Sequence, residues 1–287
     1  MRVSRSSICS IMNAISGVTD LPFQTKNGII NAENICVPHG FTTREGGVSK
    51  GIFGSMNIAM HRGDSAENVI QNYEILAERI GFDVNNLVLT RQTHSDIVRV
   101  VTKADARGLD HHAYPECDAL ITNDAGCALV VFTADCTPIL LWDSVTGAVG
   151  AVHAGWRGTV SDIAGKTVRK MVSEFGCDPR NIRAAIGPNI GFCCFETDRD
   201  VPDAIIAEFG AEAEAFIRKT GEKYQVDLKA VNAFTLRRAG VENIEISADC
   251  TMCQPDRFWS HRVTGINRGS QGAFIVCKES DQYGKRT

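Results

Sequence analysis

No stretch of the 287 residues is apolar for long enough to cross a bilayer as a helix, so a helical membrane protein is not expected. Basic residues are not in excess either: 30 lysines and arginines face 34 acidic side chains, for a net charge of −4. Proteins that grip a nucleic-acid backbone carry a basic field, and that class of partner is not expected. Internal repeats, low-complexity tracts and long charge runs are missing, so nothing divides the chain into modules. Nor is there a regular cysteine framework. The 11 cysteines are odd in number and unevenly scattered, which fits reduced thiols in a cytoplasmic setting better than disulfides. The start, MRVSRSSICSIMNAISG, has two early arginines, but its apolar run is interrupted by Cys9, Ser10 and Asn13 and makes a poor secretory signal.

What remains is an ordinary globular composition, 44% hydrophobic and 22% charged, in a chain long enough to bury a core without staples. The expected layout is a disordered leader over 1–20, one catalytic domain over 21–279 and a tail over 280–287. Apolar residues at helical spacing predict helices over Asp64–Gly81, Thr159–Gly176 and Asp227–Ala239, with a weaker one over Val201–Phe209. Strands are expected at Leu87–Leu89, Ile97–Val101, Ala119–Ile121, Ala128–Phe132, Ile139–Trp142, Ala148–Val152, Ala184–Ile186, Ile244–Ser247 and Phe274–Val276. Several of these are apolar throughout, which predicts strands covered on both faces. Those within 117–153 follow one another too closely for helical crossovers. The expected fold class is therefore α/β, with a mixed sheet flanked by helices.

Polar, metal-competent residues stand at the ends of three of these strands. They are His94 in Arg91-Gln92-Thr93-His94-Ser95, Cys136 in Thr133-Ala134-Asp135-Cys136-Thr137-Pro138, and His153 in Val152-His153-Ala154-Gly155-Trp156-Arg157-Gly158. Two imidazoles and a thiolate make a three-donor zinc set with one position open. The spacing matches no compact zinc motif, and a cysteine before Thr-Pro also fits a buried small hydrophobe. Cys250-Thr251-Met252-Cys253 is a rival metal pair that lacks its second C-x-x-C; the adjacent Cys193 and Cys194 are poor candidates to complete it. A turn with one thiol facing the reaction pocket is the plainer reading. For anions, Arg44 stands beside a flexible Gly46-Gly47 pair, and Arg157 lies in the Gly155–Gly158 stretch that opens a helix. The Asn57 amide also fits base or hydroxyl recognition, or a turn cap.

Taken together, HGFTTREGGVS, GSMNIAMHRGD, RQTHSDIV, CDALITN, TADCTPILLWD, VHAGWRGTV, AAIGPNIGFCCFE, VDLKAVN and CTMC occur in order over roughly residues 39–262. The set resembles the bacterial laccase-domain family, which carries a multicopper polyphenol oxidoreductase label and is regarded as purine nucleoside phosphorylases with adenosine deaminase activity. The resemblance implies a compact α/β domain and a zinc held by His94, Cys136 and His153. It also implies attack of phosphate on the ribose C1′ of adenosine, inosine, guanosine or methylthioadenosine. On that reading Arg44 and Arg157, with the Gly155–Gly158 helix start, hold phosphate. Asn57 and Gln92 touch nucleoside, and Asp135 or Glu196 handles protons in deamination. Partners are then small molecules. Copper with phenol oxidation is the alternative, although only seven histidines and no His-x-His pair are available; a non-catalytic metal-binding module is the third. The chain departs from the family at Phe195-Glu196-Thr197, in place of Tyr-Glu-Val, at Ser260-His261-Arg262, in place of Ser-Tyr-Arg, and around Arg268, where the family has a Thr-Gly-Arg turn.

Overall fold

Short β-branched and aliphatic runs bounded by glycine, asparagine and aspartate become strands, and the stripes of period 3.6 become helices. The computed structural model describes residues 18–19 and 23–278. Along the chain come β1 (Val18–Thr19), β2 (Gln24–Lys26), β3 (Ile29–Asn31), β4 (His39–Thr42), α1 (Ala66–Ile80), β5 (Leu87–Leu89), β6 (Val98–Val100), β7 (Ala119–Thr122) and β8 (Ala128–Thr133). They are followed by β9 (Thr137–Asp143), β10 (Val149–Ala154), α2 (Trp156–Val160), α3 (Ile163–Phe175), β11 (Ile182–Ile186), β12 (Glu196–Thr197) and α4 (Asp200–Phe209). The last are β13 (Ile217–Thr220), β14 (Lys223–Val226), α5 (Leu228–Arg238), β15 (Asn243–Ile246), α6 (His261–Thr264) and β16 (Gln271–Val276).

The mixed α/β class is as expected, but the strands divide among three sheets. A seven-stranded mixed sheet has the order β1-β15-β11-β9-β10-β7-β6, and a six-stranded one the order β2-β3-β4-β16-β8-β5. A small antiparallel sheet, β12-β14-β13, stands apart from both. Strands β8 and β16 lie against β9 and β10, so the two large sheets stack. The period-2 alternation of side chains explains the continuously apolar runs. Leu140, Trp142, Val149 and Ala151 face the other sheet with Leu129, Val131 and Ile275. Ile139, Leu141 and Val152 point the opposite way, onto Ile163, Ala164, Val168 and Met171 of α3 and Leu236 of α5.

The helix expected over Thr159–Gly176 is two helices. Asp162 adopts the left-handed conformation (φ 56°) between them, and its carboxylate accepts from the Gly165 amide as a new N-cap. The apolar stripe runs through that break, which is why periodicity alone merged them. Val18–Thr19, inside the segment expected to be a leader, pair in parallel with Ile244–Glu245. The rest of the 1–20 segment, and the tail over 280–287, lie outside the described residues. No helix among the described residues is long and apolar enough to cross a membrane.

Two connections matter most. The segment from β5 to β6 leaves the six-stranded sheet and enters the seven-stranded one, and so does Ala134–Cys136 between β8 and β9. The first carries His94, the second ends in Cys136, and His153 sits in β10 opposite Pro138 of β9.

Candidate metal centre and cavity

These three side chains converge. Donor atoms of His94, Cys136 and His153 lie within 4.8 Å of one another, Cys136 Sγ is 3.8 Å from His94 Nε2, and the two imidazoles meet edge to face with centroids 5.0 Å apart. Gly155 keeps the space open, since a Cβ there would stand 2.7 Å from His94 Cδ2 and 3.4 Å from Cys136 Sγ. His94 itself holds a left-handed backbone at φ 60°, a local strain sustained by the surrounding hydrogen bonds.

Asp118, fully buried just before β7, organises the group. Its carboxylate accepts from the amides of Thr93, His94 and Ser95, from Ser95 Oγ at 2.7 Å, and from His153 Nδ1 at 2.7 Å. Burial alone would raise its pKa, but these donors bring it down to about 2. With Nδ1 engaged by Asp118, the other ring nitrogen of His153 is the one left for a metal, the usual carboxylate–histidine arrangement behind a metal ligand. Burial opposes charge on Cys136, yet the facing His153 and His94 pull the thiol down to about 6. Burial likewise opposes charge on His153, while Cys136 and Asp118 raise it to about 9. The facing imidazoles thus favour the thiolate form of Cys136, the form that binds metal. Asp118 lies within CDALITN, where nothing local in the sequence marks it as the support of a histidine.

A cavity of about 160 Å3, smaller than the roughly 300–1,000 Å3 typical of drug-sized ligand sites, opens over the group. Its lining includes Gln92, His111, Phe132, Arg62 and Arg268 beside the three donors. Gln92 is clamped to the strand next to it: Nε2 donates to Phe132 O at 2.8 Å, and Oε1 accepts from Phe132 N at 2.6 Å. Arg268 is 9% exposed, and its Nη1 donates to Gly269 O and Ser270 Oγ. Its Nε has no partner among the described residues. Burial and the neighbouring Arg62 lower its pKa to about 10, so two cations share this wall. Burial, followed by the charge of His112, lowers the pKa of His111. Nothing local in the sequence marks Arg62 or His111, because neither stands at the end of an apolar run.

Other expected contacts lie elsewhere. Arg44 does not line this cavity: its Nη1 donates to Pro255 O, its Nε and Nη2 to Gly54 O, and it stacks 4.0 Å over the Trp259 ring. It braces two loops where an anion grip was expected. Asn57, fully buried, accepts from the amides of Ala59 and Ser270 and donates to Asp64 Oδ2, so it holds cavity-lining segments without reaching the cavity. Arg157 is exposed and stacks on Trp156, and α2 is a helix of only five residues. Asp135 points away from the cavity and accepts from Thr251 Oγ1, Ser260 Oγ and the Arg262 amide. Glu196 lies in β12, and His261 is exposed in α6; neither lines the cavity. Nor do Cys250 and Cys253, contrary to the thiol expected there.

Residues 38–278 match the family described as multi-copper polyphenol oxidoreductase laccase. The chain belongs to the laccase-domain family. It is 36% identical to the purine nucleoside phosphorylase YlmD of Bacillus subtilis, over 87% of this chain and 92% of that protein. It is 38% identical to adenosine deaminase RL5 from an unknown prokaryotic organism, over 80% of this chain and 90% of that protein. The crystal structure of YlmD from Geobacillus stearothermophilus superposes with a TM-score of 0.85 at 37% identity, covering 90% of this chain and 99% of that one. These relatives support a nucleoside-processing enzyme role for this laccase-domain fold.

Proposed function

We propose that this chain is a purine nucleoside phosphorylase acting on adenosine, inosine, guanosine and methylthioadenosine, with adenosine deaminase as a second activity. The observation that carries the reading is the meeting, in one cavity, of the His94–Cys136–His153 donors with the Arg62 and Arg268 cations. Two imidazoles and a thiolate at these separations suit zinc with one position left over. Bound there, zinc would supply a Lewis acid able to polarise an oxygen or activate water.

In phosphorolysis a phosphate oxygen bonds to C1′, the bond from C1′ to the base nitrogen breaks, and the base leaves with a proton. Arg268, with its unpartnered Nε, and Arg62 supply the fixed charge that orients phosphate. Phe132 offers an apolar surface for the base, and His111 is the lining imidazole outside the donor group that can exchange a proton. Gln92, with its amide held by the Phe132 backbone, shapes this wall. In deamination water replaces the amino group at C6 and ammonia leaves.

Chromatography of adenosine incubated with and without phosphate tests the proposal. Adenine with ribose 1-phosphate, formed only when phosphate is present, is the expected result, and inosine reports the deaminase activity. Stoichiometric copper with phenol oxidation, and no nucleoside turnover, would overturn it in favour of the oxidase.

A further inference from the structure

A second cluster of donors lies away from the cavity. Strands β11 and β15 are parallel neighbours, with Ile186 opposite Ile246, so the loops that follow them leave the same end of the sheet. The first loop carries Cys193 and Cys194, and the second carries Cys250 and Cys253. A bridge between Asn189 and Cys250, and the Thr251 amide donating to Asn189 O at 2.9 Å, hold the two side by side.

The four sulfurs lie within 4.8 Å of one another, with Cys193 Sγ 3.6 Å and Cys194 Sγ 3.3 Å from Cys253 Sγ. A tetrahedral zinc with Zn–S bonds of about 2.3 Å sets its sulfurs roughly 3.8 Å apart. A disulfide needs about 2.05 Å, and all four residues are free thiols. The surroundings suit a concentrated negative charge. The Gly191 amide donates to Cys250 Sγ at 3.2 Å. Gly191 packs so closely that a Cβ would stand 3.3 Å from Cys193 Sγ and 3.4 Å from Cys250 Sγ. The buried Lys229 ammonium donates to Ser247 O at 2.6 Å and Asp249 O at 2.7 Å, on the segment that leads into Cys250.

We propose that Cys193, Cys194, Cys250 and Cys253 form a tetrathiolate zinc site distinct from the His94–Cys136–His153 group. On coordination each thiol releases its proton, and the Gly191 amide donates into the resulting dianionic centre. With all positions filled by sulfur the site is structural. It fastens the two loops that grip the neighbour of Cys136: the Ile190 amide donates to Asp135 O at 2.9 Å, and Thr251 Oγ1 donates to Asp135 Oδ1 at 2.6 Å. The adjacent Cys193 and Cys194 contribute because Gly191, two residues earlier, lets the backbone turn against Cys250.

Elemental analysis of the full chain purified under reducing conditions, with cobalt replacement, tests the site. The Cys136→Ser variant is expected to keep about one zinc per chain, and its cobalt form to show the intense charge-transfer absorption of several thiolates. The Cys194→Ser/Cys253→Ser double variant is expected to lose that ion and that absorption. If the double variant does not fold, the Cys136→Ser protein decides alone. Absence of zinc from it, or a cobalt spectrum without tetrathiolate absorption, overturns the proposal. So does a Cys194–Cys253 disulfide in the freshly isolated protein. These readouts are independent of nucleoside turnover, so the site and the proposed activity can fail separately.

Discussion

At the scale of single residues, Asp118 joins the His94 loop to His153 through one carboxylate. Asp118→Asn removes an acceptor from donors that remain buried, and metal affinity should fall about 10–100-fold in a competition titration with a chelator. Arg268 and Arg44 make a contrasting pair. Arg268→Gln should raise the KM for phosphate about tenfold, a loss of about 1.4 kcal/mol, and leave the nucleoside KM nearly unchanged. Arg44→Met should leave both KM values alone yet lower the urea midpoint by the equivalent of about 1–3 kcal/mol. It removes hydrogen bonds to Gly54 and Pro255 and the stack on Trp259. Kinetics against each substrate, beside equilibrium unfolding, separate the two roles. In the sequence these arginines could not be told apart by chemistry. Arg44 drew notice from its glycines, whereas the burial of Arg268 depends on Ser270 and β16 around it. The imidazoles and Cys136 stood out because polar donors at the ends of apolar strands are unusual. Asp118 has the same position but an ordinary identity.

At the scale of elements, β15 carries Glu245, a carboxylate 7% exposed that accepts from the Glu33 amide at 2.8 Å. Burial raises its pKa despite that hydrogen bond. The folded state therefore holds this proton to higher pH than the unfolded chain, and the associated stability is lost as pH rises through the folded pKa. Glu245→Gln keeps an acceptor and removes the buried charge. It should be more stable than the parent protein at neutral pH, with the advantage vanishing in acid below the unfolded glutamate pKa. Thermal unfolding at several pH values measures it, and an advantage that grew in acid would contradict the assignment. Strand positions were largely legible because aliphatic runs between turn residues have few other uses. The partition into sheets was not, since pairing β8 with β16 joins segments remote in the chain. The break at Asp162 was missed for a smaller reason: one residue in a left-handed conformation leaves the apolar stripe intact.

At the scale of the whole molecule, the donors of the proposed metal centre come from connections between the stacked sheets and from β10, so an ion there ties both layers together. In the Cys194→Ser/Cys253→Ser background, where the tetrathiolate site is gone, removing that ion with a chelator should lower the melting temperature, and adding zinc back should restore it in proportion to the logarithm of free zinc. Calorimetry checks this; a melting point indifferent to metal would place the ion outside the folding equilibrium. Six-stranded sheet order also fixes a sequence of events. β16, the final strand described, lies between β4 and β8. While a ribosome is still extending the chain toward Val276, those two strands lack their shared neighbour, and Arg268 has no wall to occupy. The cavity wall is therefore late in order of synthesis: a nascent chain can pair its early hairpins, but Arg268 gains its setting only once β16 slides into the gap.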